Sequence, residues 1–587
     1  MKLQRFPVAF VFLAVLLLAG CSEPLPPVVV APATPETSYV VAGTPADLPP
    51  AVEYNLGDAT IVQDRFPEDS RFRNMPVRLN GLIAAPAEGE GPFPVVTIIH
   101  GTHPGCPEDA MGVDRWPCDV EVEQRNYSGF AYLASALAGQ GYVVLAPNFN
   151  AEHTFGFGEP TPGERLAQVL DLHMQALAES SAGGANGFGV EMAGRADLSR
   201  LALLGHSRGG EAAVWLANTP EIAAGREEYG PVAGVLVIAG ATTFLDPWNR
   251  VSAPLATVLA GCDGDVTDQT GQFFFEGARL APDQREWAVS AWLERANHNN
   301  FNSILPADMV THRARSDCET LLDGETQRAW LVDYAGDFLT AVFSSDGQAV
   351  SEAKARLGMD ARDPAPDELY GLPGRVAILP AAPDRLPVMT PAGEDELVDN
   401  LLGGAVQADG VATHFCPRGF YSPWSLPGSE PCRRNYVTVP GQPTLAVLSW
   451  ETPDAALRFE LPEGAGDLGG YTALSLRAAV DPASALNKAA SPQVFSVQLT
   501  DRAGKQAVVQ TRPDEPALAF PSGIMQDSDA ENTGFFTGIV PLTTVRLALS
   551  DFSGVDLNDI AEIALLFDQT PGGALFLADL ELVRPPQ

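Results

Sequence analysis

One short stretch of the sequence combines a nucleophile with the small residues that a sharp turn requires. An apolar run at 201–204 leads into Gly205-His206-Ser207-Arg208-Gly209, and a helix-forming segment follows at 211–217. This order predicts a buried strand, a tight turn with Ser207 at its apex, and a helix. Glycine is needed at both ends of the turn because a Cβ there would clash with passing backbone. The turn would expose the Ser207 hydroxyl and aim the Arg208 N–H at a developing oxyanion.

A serine in such a turn becomes a nucleophile when a histidine takes its proton and a carboxylate orients that histidine. Of the eight histidines, His298 alone falls in the turn after the last predicted strand, residues 287–293. Asp263 and Asp265 both follow the preceding apolar strand, and either could be the acid. Asp263, Asp265 and Asp268 could instead hold calcium, but the loop lacks the glycine and the terminal glutamate of an EF-hand.

The elements that would position these residues alternate between strands and helices over residues 56–345. The predicted strands are 75–85, 94–99, 141–147, 201–204, 232–239, 254–260 and 287–293, and the predicted helices are 128–140, 163–179, 211–217 and 327–343. This alternation predicts an α/β fold with a mostly parallel sheet that is covered on both faces. The serine, the aspartates and the histidine would then meet at the carboxyl ends of the strands, where such sheets place their chemistry.

The bare pattern G-x-S-x-G is weak in a chain with 55 glycines, so its neighbours carry the case. The chain order of serine, aspartate and histidine, with a His-Gly motif after strand 94–99, resembles that of α/β-hydrolases of the esterase type. Residues 56–345 are similar in style to dienelactone-hydrolase-like and cutinase-like polyester hydrolases. The resemblance implies the triad Ser207, Asp263 and His298, because that family has an aspartate three residues before a valine. Asp265 is the fallback acid, and no cofactor is implied.

The same resemblance places a second oxyanion donor in the loop after the His-Gly motif. Thr102 is the first choice for this backbone N–H, with Gly101 and His103 as alternatives. The ring of His100 is expected to bond backbone carbonyls. This chain lacks the HGGG loop of lipases, so the donor is assigned from its position next to the motif. Candidate walls for the acyl or alcohol group are Trp116, Tyr127 and the segment 153–157.

The N-terminus has the pattern of an export signal. A basic start precedes the apolar run 10–18, which is too short to predict a membrane span. The next residues, Leu18-Ala19-Gly20-Cys21, resemble the lipobox of bacterial lipoproteins. This resemblance implies a signal peptide at 1–20 and a lipidated Cys21 that holds the chain to the bacterial cell envelope, at the outer membrane if the cell is Gram-negative. An ordinary secretory peptide is the alternative. The Pro/Ala-rich residues 21–55 predict an extended tether.

The cysteines agree with export. Seven cysteines minus Cys21 leave six, an even set that predicts three disulfides in an oxidising compartment. Proximity in the sequence favours Cys106–Cys118, Cys262–Cys318 and Cys416–Cys432. None of these is a CxxC pair, so neither zinc nor a redox dithiol is expected.

The net charge restricts the partners. The chain carries a formal net charge of −38 at pH 7 and has no basic stretch to offset it. A surface this acidic repels nucleic acid and anionic lipid headgroups. No nucleic-acid partner is therefore expected.

The last third of the chain has a different pattern. Residues 346–395, rich in Pro, Asp and Ala, predict a surface linker. Short alternating runs separated by turns in 396–587 predict an all-β, jelly-roll-like sandwich. The end of this region resembles carbohydrate-binding-module-like sandwiches. That resemblance implies a structural calcium near Asp579 and leaves a glycan or polymer surface open as a partner, beside a simple packing role.

Together these features predict a serine carboxylesterase that cleaves an ester substrate through an acyl-enzyme. A peptidase or an acyltransferase on the same triad stays open. So does a surface glycan-binding lipoprotein in which the hydrolase part does no chemistry.

Overall fold

The described part of the chain is mostly β structure. The computed structural model describes residues 28–30, 39–40, 47–63, 66–70, 73–108, 114–154, 164–219, 229–242, 251–281, 283–310, 318–418, 432, 437–488, 491–521 and 538–586. Within these ranges it contains 25 β-strands and seven α-helices. Cys21 and the predicted signal peptide lie outside the described residues.

A large sheet of 12 strands forms the first unit. Its strands are β1 (Val28–Val30), β2 (Tyr39–Val40), β3 (Val52–Val62), β4 (Asn74–Ala84), β5 (Phe93–Ile99), β6 (Val143–Pro147), β7 (Ala196–His206), β8 (Val232–Ile238), β9 (Leu255–Ala260), β10 (Ala288–Leu293), β11 (Glu368–Leu369) and β12 (Leu372–Leu379). Their order is β1-β3-β4-β6-β5-β7-β8-β9-β10-β12-β11, and β2 pairs with β3.

The sheet is mixed, so the prediction of a mostly parallel α/β-hydrolase layout is wrong. Pairs between β5, β6, β7, β8, β9 and β10 are parallel. The pairs that add β1–β4 at one edge and β11–β12 at the other are antiparallel. The physical reason is the connection length: β3 and β4 follow each other without the helical crossover that a parallel pair requires. The second unit adds further antiparallel sheets, which makes the whole chain mostly β.

Helices cover both faces of the large sheet. They are α1 (Ala131–Gly139), α2 (Asn150–Thr154), α3 (Glu164–Ser181), α4 (Arg208–Asn218), α5 (Gln272–Leu280), α6 (Gly324–Phe343) and α7 (Gly347–Arg356). Alternate residues of one strand enter opposite cores: Leu203 of β7 packs in the core with α3 and α4, and Leu204 packs in the core with α1 and α6. Among the described residues, no helix is long and apolar enough to cross a membrane.

The second unit consists of antiparallel sheets. Its strands are β13 (Arg385–Met389), β14 (Val406–Asp409), β15 (Val411–Cys416), β16 (Val437–Thr438), β17 (Leu445–Trp450), β18 (Ala456–Glu460), β19 (Ala473–Val480), β20 (Ser496–Asp501), β21 (Gln506–Gln510), β22 (Gly538–Ile539), β23 (Thr543–Ala548), β24 (Ile560–Leu566) and β25 (Gly573–Val583). One sheet runs β15-β17-β25-β19-β23 with β13 beside β25, and the other runs β14-β18-β24-β20-β21. A shared apolar core lies between them, in which Trp450 stacks on Phe567 at 4.2 Å. The short strands β16 and β22 form a separate parallel pair.

The segment expected as a linker, residues 346–395, joins both units through regular structure. It begins with α7 and then supplies β12, which pairs with β10 of the large sheet. It ends with β13, which pairs with β25 of the second unit. The composition rich in Pro, Asp and Ala hid these strands because their partners are distant in the sequence.

All three expected disulfides are formed. Cys106–Cys118, Cys262–Cys318 and Cys416–Cys432 have S–S distances of 2.10, 1.98 and 2.09 Å. The prediction from sequence proximity is therefore confirmed.

A buried cluster of four charged side chains, the interface cluster, joins the two units. Glu276 and Arg279 come from α5, Arg477 from β19 and Asp579 from β25. Arg477 donates both Nη atoms to the Glu276 carboxylate at 2.9 and 3.0 Å and its Nε to Asp579 at 2.8 Å. Arg279 Nε donates to the other Asp579 oxygen at 2.6 Å.

This arrangement gives Asp579 a role different from the expected one. Both of its carboxylate oxygens are bound by guanidinium groups. No group of three or more His, Cys, Asp or Glu side chains that could hold a metal occurs in the described part of the chain. Asp579 is an interface residue, and a structural calcium near it stays a prediction from the sequence resemblance.

Arg477→Met keeps the approximate length of the side chain but removes its charge. The buried Glu276 then loses its two-point partner and keeps only an ion pair with Arg279 at 3.5 Å and a hydrogen bond from Gln272 at 3.2 Å. We expect the free energy of unfolding to fall by about 3–5 kcal/mol. Arg458→Met is the matched control, since Arg458 also pairs with two carboxylates, Asp409 and Glu562, but nearer the surface. Its loss should be about 0–1 kcal/mol. Urea unfolding of the whole chain measures both, and equal losses would contradict a special role for the interface cluster.

Candidate active site

Ser207 lies between the end of β7 and the start of α4. Its backbone has φ 57° and ψ −126°, a left-handed conformation that costs energy for a residue with a side chain. Two hydrogen bonds hold it there: the Ser207 N–H donates to Ile238 O at 2.9 Å, and the Ala241 N–H donates to Ser207 O at 3.1 Å. The neighbouring strand β8 and the loop after it therefore stabilise a strained turn with the serine at its apex.

Three glycines allow the backbone segments around Ser207 to touch. A Cβ on Gly205 would lie 2.0 Å from Gly209 O, and a Cβ on Gly209 would lie 2.2 Å from Ile99 O. A Cβ on Gly101 would lie 2.8 Å from the Ser207 Cβ. The loop after β5 is therefore pressed directly against the serine turn, as a second oxyanion donor from that loop would require.

Asp263 and His298 meet at the carboxyl ends of β9 and β10. Asp263 Oδ2 accepts a hydrogen bond from His298 Nδ1 at 2.9 Å, and both side chains are buried. The other oxygen of Asp263 accepts the backbone N–H groups of Asp265 at 2.9 Å and Val266 at 2.6 Å. Of the two candidate acids, Asp263 is therefore the one hydrogen-bonded to Nδ1, and Asp265 lies 3.6 Å from the other ring nitrogen, Nε2.

The acid turn and the histidine turn are tied together at several points. The Cys262 N–H donates to Ala296 O at 2.8 Å, and the Asn297 side chain donates to the carbonyls of Cys262 and Asp308, both at 3.2 Å. Gln327 of α6 bonds the Asn297 backbone at both its N–H and its carbonyl. The Cys262–Cys318 disulfide closes the same region. Asn297, Asp308 and Gln327 could not be predicted as site residues, because amide and loop residues have no characteristic spacing in the sequence.

The electrostatics of the site raise the proton affinity of His298. Burial alone lowers the pKa of this imidazole, but Asp263, through charge and its hydrogen bond, together with Asp265 and Asp308, outweighs burial and raises the pKa to about 9. His298 Nε2 is buried and has no hydrogen-bond partner among the described residues, so no bond to Ser207 is formed in this state. Such bonds are often long without substrate and tighten when it binds.

Two other histidines have structural positions at the site. His206 Nε2 lies 3.0 Å from the carbonyl of His298, and because a carbonyl only accepts, this nitrogen carries the proton. The ring centroids of His206 and His298 are 4.8 Å apart. His100 donates from Nδ1 to Gly101 O and accepts the Phe149 N–H at Nε2, as expected for a structural ring. Burial lowers the pKa of His100 to about 4, so it stays neutral.

A pocket of about 280 Å³ opens beside the serine. Its lining includes Thr102, Ser207, Arg208, Asp265, Asp268 and Thr270. The two expected oxyanion residues, Thr102 and Arg208, thus share one pocket with the nucleophile. The helix α4 begins at Arg208 beside this pocket, and the backbone N–H groups of a helix's first turn are suited to bind negative charge.

The expected aromatic walls are not part of this pocket. Trp116 is buried against β4, where its Nε1 donates to Pro76 O at 2.8 Å. The Tyr127 hydroxyl donates to Glu53 at 2.9 Å. Both residues therefore have a structural role, because their polar atoms are hydrogen-bonded to residues of β3 and β4. Of the segment 153–157, residues 155–157 and the side chains of His153 and Thr154 lie outside the described residues.

Comparison with known proteins adds no relative to this description. No protein-family model matches the chain, and no curated protein matches it either. The assignment of the site therefore depends on the residues and distances above.

Gly205→Ala is expected to disrupt the serine turn, because the new Cβ would meet the backbone of Gly209 rather than a movable side chain. We expect a loss of about 3 kcal/mol or more in the free energy of unfolding. Gly347→Ala is the matched control: it has nothing within 4 Å of its added Cβ and begins α7. This control should stabilise the chain by less than about 1 kcal/mol. Urea unfolding compares the two, and a tolerated Gly205→Ala would disprove the close approach.

Proposed function

We propose that this chain is a serine hydrolase that cleaves carboxylic esters through an acyl-enzyme intermediate. The observation that carries the proposal is the buried Asp263–His298 hydrogen bond of 2.9 Å beside the serine pocket. Asp265 links His298 to the serine pocket, because its carboxylate lies 3.6 Å from His298 Nε2 and the residue also lines the pocket with Ser207. The motif resemblance to esterases supports the proposal through these residues and not through the sheet layout.

In the proposed mechanism, His298 Nε2 takes the proton of the Ser207 hydroxyl while the oxygen attacks the ester carbonyl. The backbone N–H groups of Arg208 and Thr102 bind the oxyanion. The tetrahedral intermediate expels the alkoxide, which receives the proton from His298. Water then attacks the acyl-serine, with His298 as base again, and releases the acid. Asp263 keeps the imidazole in the tautomer that leaves the Nε2 lone pair available for the serine proton.

We also propose that the protein works outside the cytoplasm. Its three disulfides are typical of exported chains. A lipid anchor at Cys21 remains part of this proposal, on the sequence pattern alone. Mass spectrometry of the mature N-terminus distinguishes a lipidated Cys21 from an unmodified secreted chain.

Ser207→Ala should lower kcat for a p-nitrophenyl ester by about 10⁶-fold, because the nucleophile acts as one unit with its base. Ser303→Ala, at an exposed serine in the loop after His298, is the matched control and should keep its activity. A fluorophosphonate should label only the peptide that contains Ser207. Labelling of another serine, or full activity in Ser207→Ala, would show that the mechanism is wrong.

The activity should rise with pH through the neutral range. A general base works in its neutral form, and in the free enzyme the pKa of His298 is raised to about 9. The active fraction therefore increases as pH approaches 9, and kcat/KM should level off above it. The rate is measured on a p-nitrophenyl ester, with the Ser207→Ala background subtracted. If kcat/KM instead levelled off above the ordinary histidine pKa of about 6.5, the effect of Asp263 and Asp265 on the His298 pKa would be contradicted.

A further inference from the structure

Two carboxylates flank the imidazole of His298, one at each nitrogen. Asp263 is hydrogen-bonded to Nδ1 at 2.9 Å, and Asp265 Oδ2 lies 3.6 Å from Nε2. The second distance is that of an ion pair and not of a hydrogen bond. The triad mechanism uses only the first carboxylate. The second lies at the nitrogen that must exchange a proton with Ser207, so its presence there requires an explanation.

The two carboxylates differ in how firmly they are held. The Asp263 side chain is 1% exposed and both of its oxygens accept hydrogen bonds, whereas the Asp265 side chain is 58% exposed. What fixes Asp265 is its backbone N–H, which donates to Asp263. The Asp265 carboxylate can therefore swing toward solvent without breaking the turn that holds the acid. Because it lines the serine pocket, a bound substrate would compete for its space.

We propose that Asp265 is a positioning residue whose carboxylate holds the resting imidazolium of His298 at Nε2 and leaves that nitrogen when a substrate fills the pocket. This inference rests on the proposed esterase function. Once the carboxylate moves away, the imidazolium releases its Nε2 proton to bulk water. The neutral ring then accepts the Ser207 proton. Asp265 thereby keeps the base inactive in the empty site and sets the pH at which it becomes available.

The other charged and titratable groups around His298 cannot replace this effect. Asp263 is fixed at Nδ1, and Asp308 lies in the loop after the histidine, where its backbone bonds Asn297. His206 and His103 face the ring, but burial lowers the pKa of both, to about 4 for His103, so they remain uncharged. Arg208 lines the same pocket, and its positive charge attracts the Asp265 carboxylate across it. Of these groups, Asp265 combines exposure with a position at Nε2.

A kinetic signature follows from the exchange. In the free enzyme Asp265 faces Nε2, so the rise of kcat/KM with pH should have its midpoint, here called the limb, at high pH. In the substrate complex Asp265 has moved, so the limb of kcat should lie about 1 pH unit lower. A carboxylate with a purely structural role would leave the two limbs together.

The test compares Asp265→Asn and Asp265→Glu with Asp559→Asn in the full chain. The asparagine keeps the backbone N–H that Asp263 needs and removes only the charge, and the glutamate keeps the charge. Asp559 is a matched control, since its side chain is 57% exposed and pairs with Arg502 in the second unit. The readouts are the pH profiles of kcat/KM and kcat on a p-nitrophenyl ester, and the ring titration of His298 by ¹⁵N NMR with histidine-labelled protein.

Asp265→Asn should lower the kcat/KM limb and the NMR pKa of His298 by about 1 unit and bring the two kinetic limbs together. Asp265→Glu should restore most of the separation, and Asp559→Asn should match the wild type. An NMR pKa of His298 that does not move in Asp265→Asn overturns the inference, whatever the activity. Failure of Ser207 labelling together with a shifted NMR pKa overturns the esterase proposal and supports the pairing of Asp265 with Nε2.

Discussion

The site depends on the need to satisfy one buried carboxylate. Asp263 has no access to water, and an ionised group in that position is stable only when donors surround it. Its three donors are the backbone N–H groups of Asp265 and Val266 and the Nδ1–H of His298. Because the backbone donors come from the same turn, they fix the conformation of residues 263–266. Because the third is the imidazole, they also fix its tautomer. The direction of Nε2 and the position of Asp265 are consequences of the same requirement.

The acid turn is also held from the side of the second unit. The Gln269 side chain donates to Ala260 O at the end of β9, and α5 begins three residues later. That helix carries Glu276 and Arg279 into the interface cluster, where Arg477 and Asp579 meet them. Gly441 of the second unit packs against the same helix, where an added Cβ would meet the side chains of Gln272 and Glu276 at 2.7 and 2.8 Å. The β-rich second unit is therefore connected to the acid turn through α5 and the interface cluster.

The sequence predicts the parts of this protein that local signals define. The glycines around Ser207 indicate a tight turn in which backbone segments touch. The short sequence separations between cysteines indicate which of them pair. The position of His298 after a strand brings it to Asp263 without any longer-range information. The sheet layout could not be obtained in this way, because β12 and β13 take their pairing from strands distant in the sequence. Trp116 and Asp579 show the same limit, since Trp116 bonds Pro76 and Asp579 bonds two arginines, all of which only the folded chain brings near.

The strand β13 and the interface cluster together have a consequence for how this chain could have evolved. A genetic recombination point at residue 395 would separate β13 from β25 and would remove Arg477 from Glu276 and Asp579 from Arg279. Neither fragment would inherit a complete interior. The C-terminal part is therefore poorly suited to shuffling between genes as an independent cassette, and substitutions on one side of the junction must be accommodated by the other.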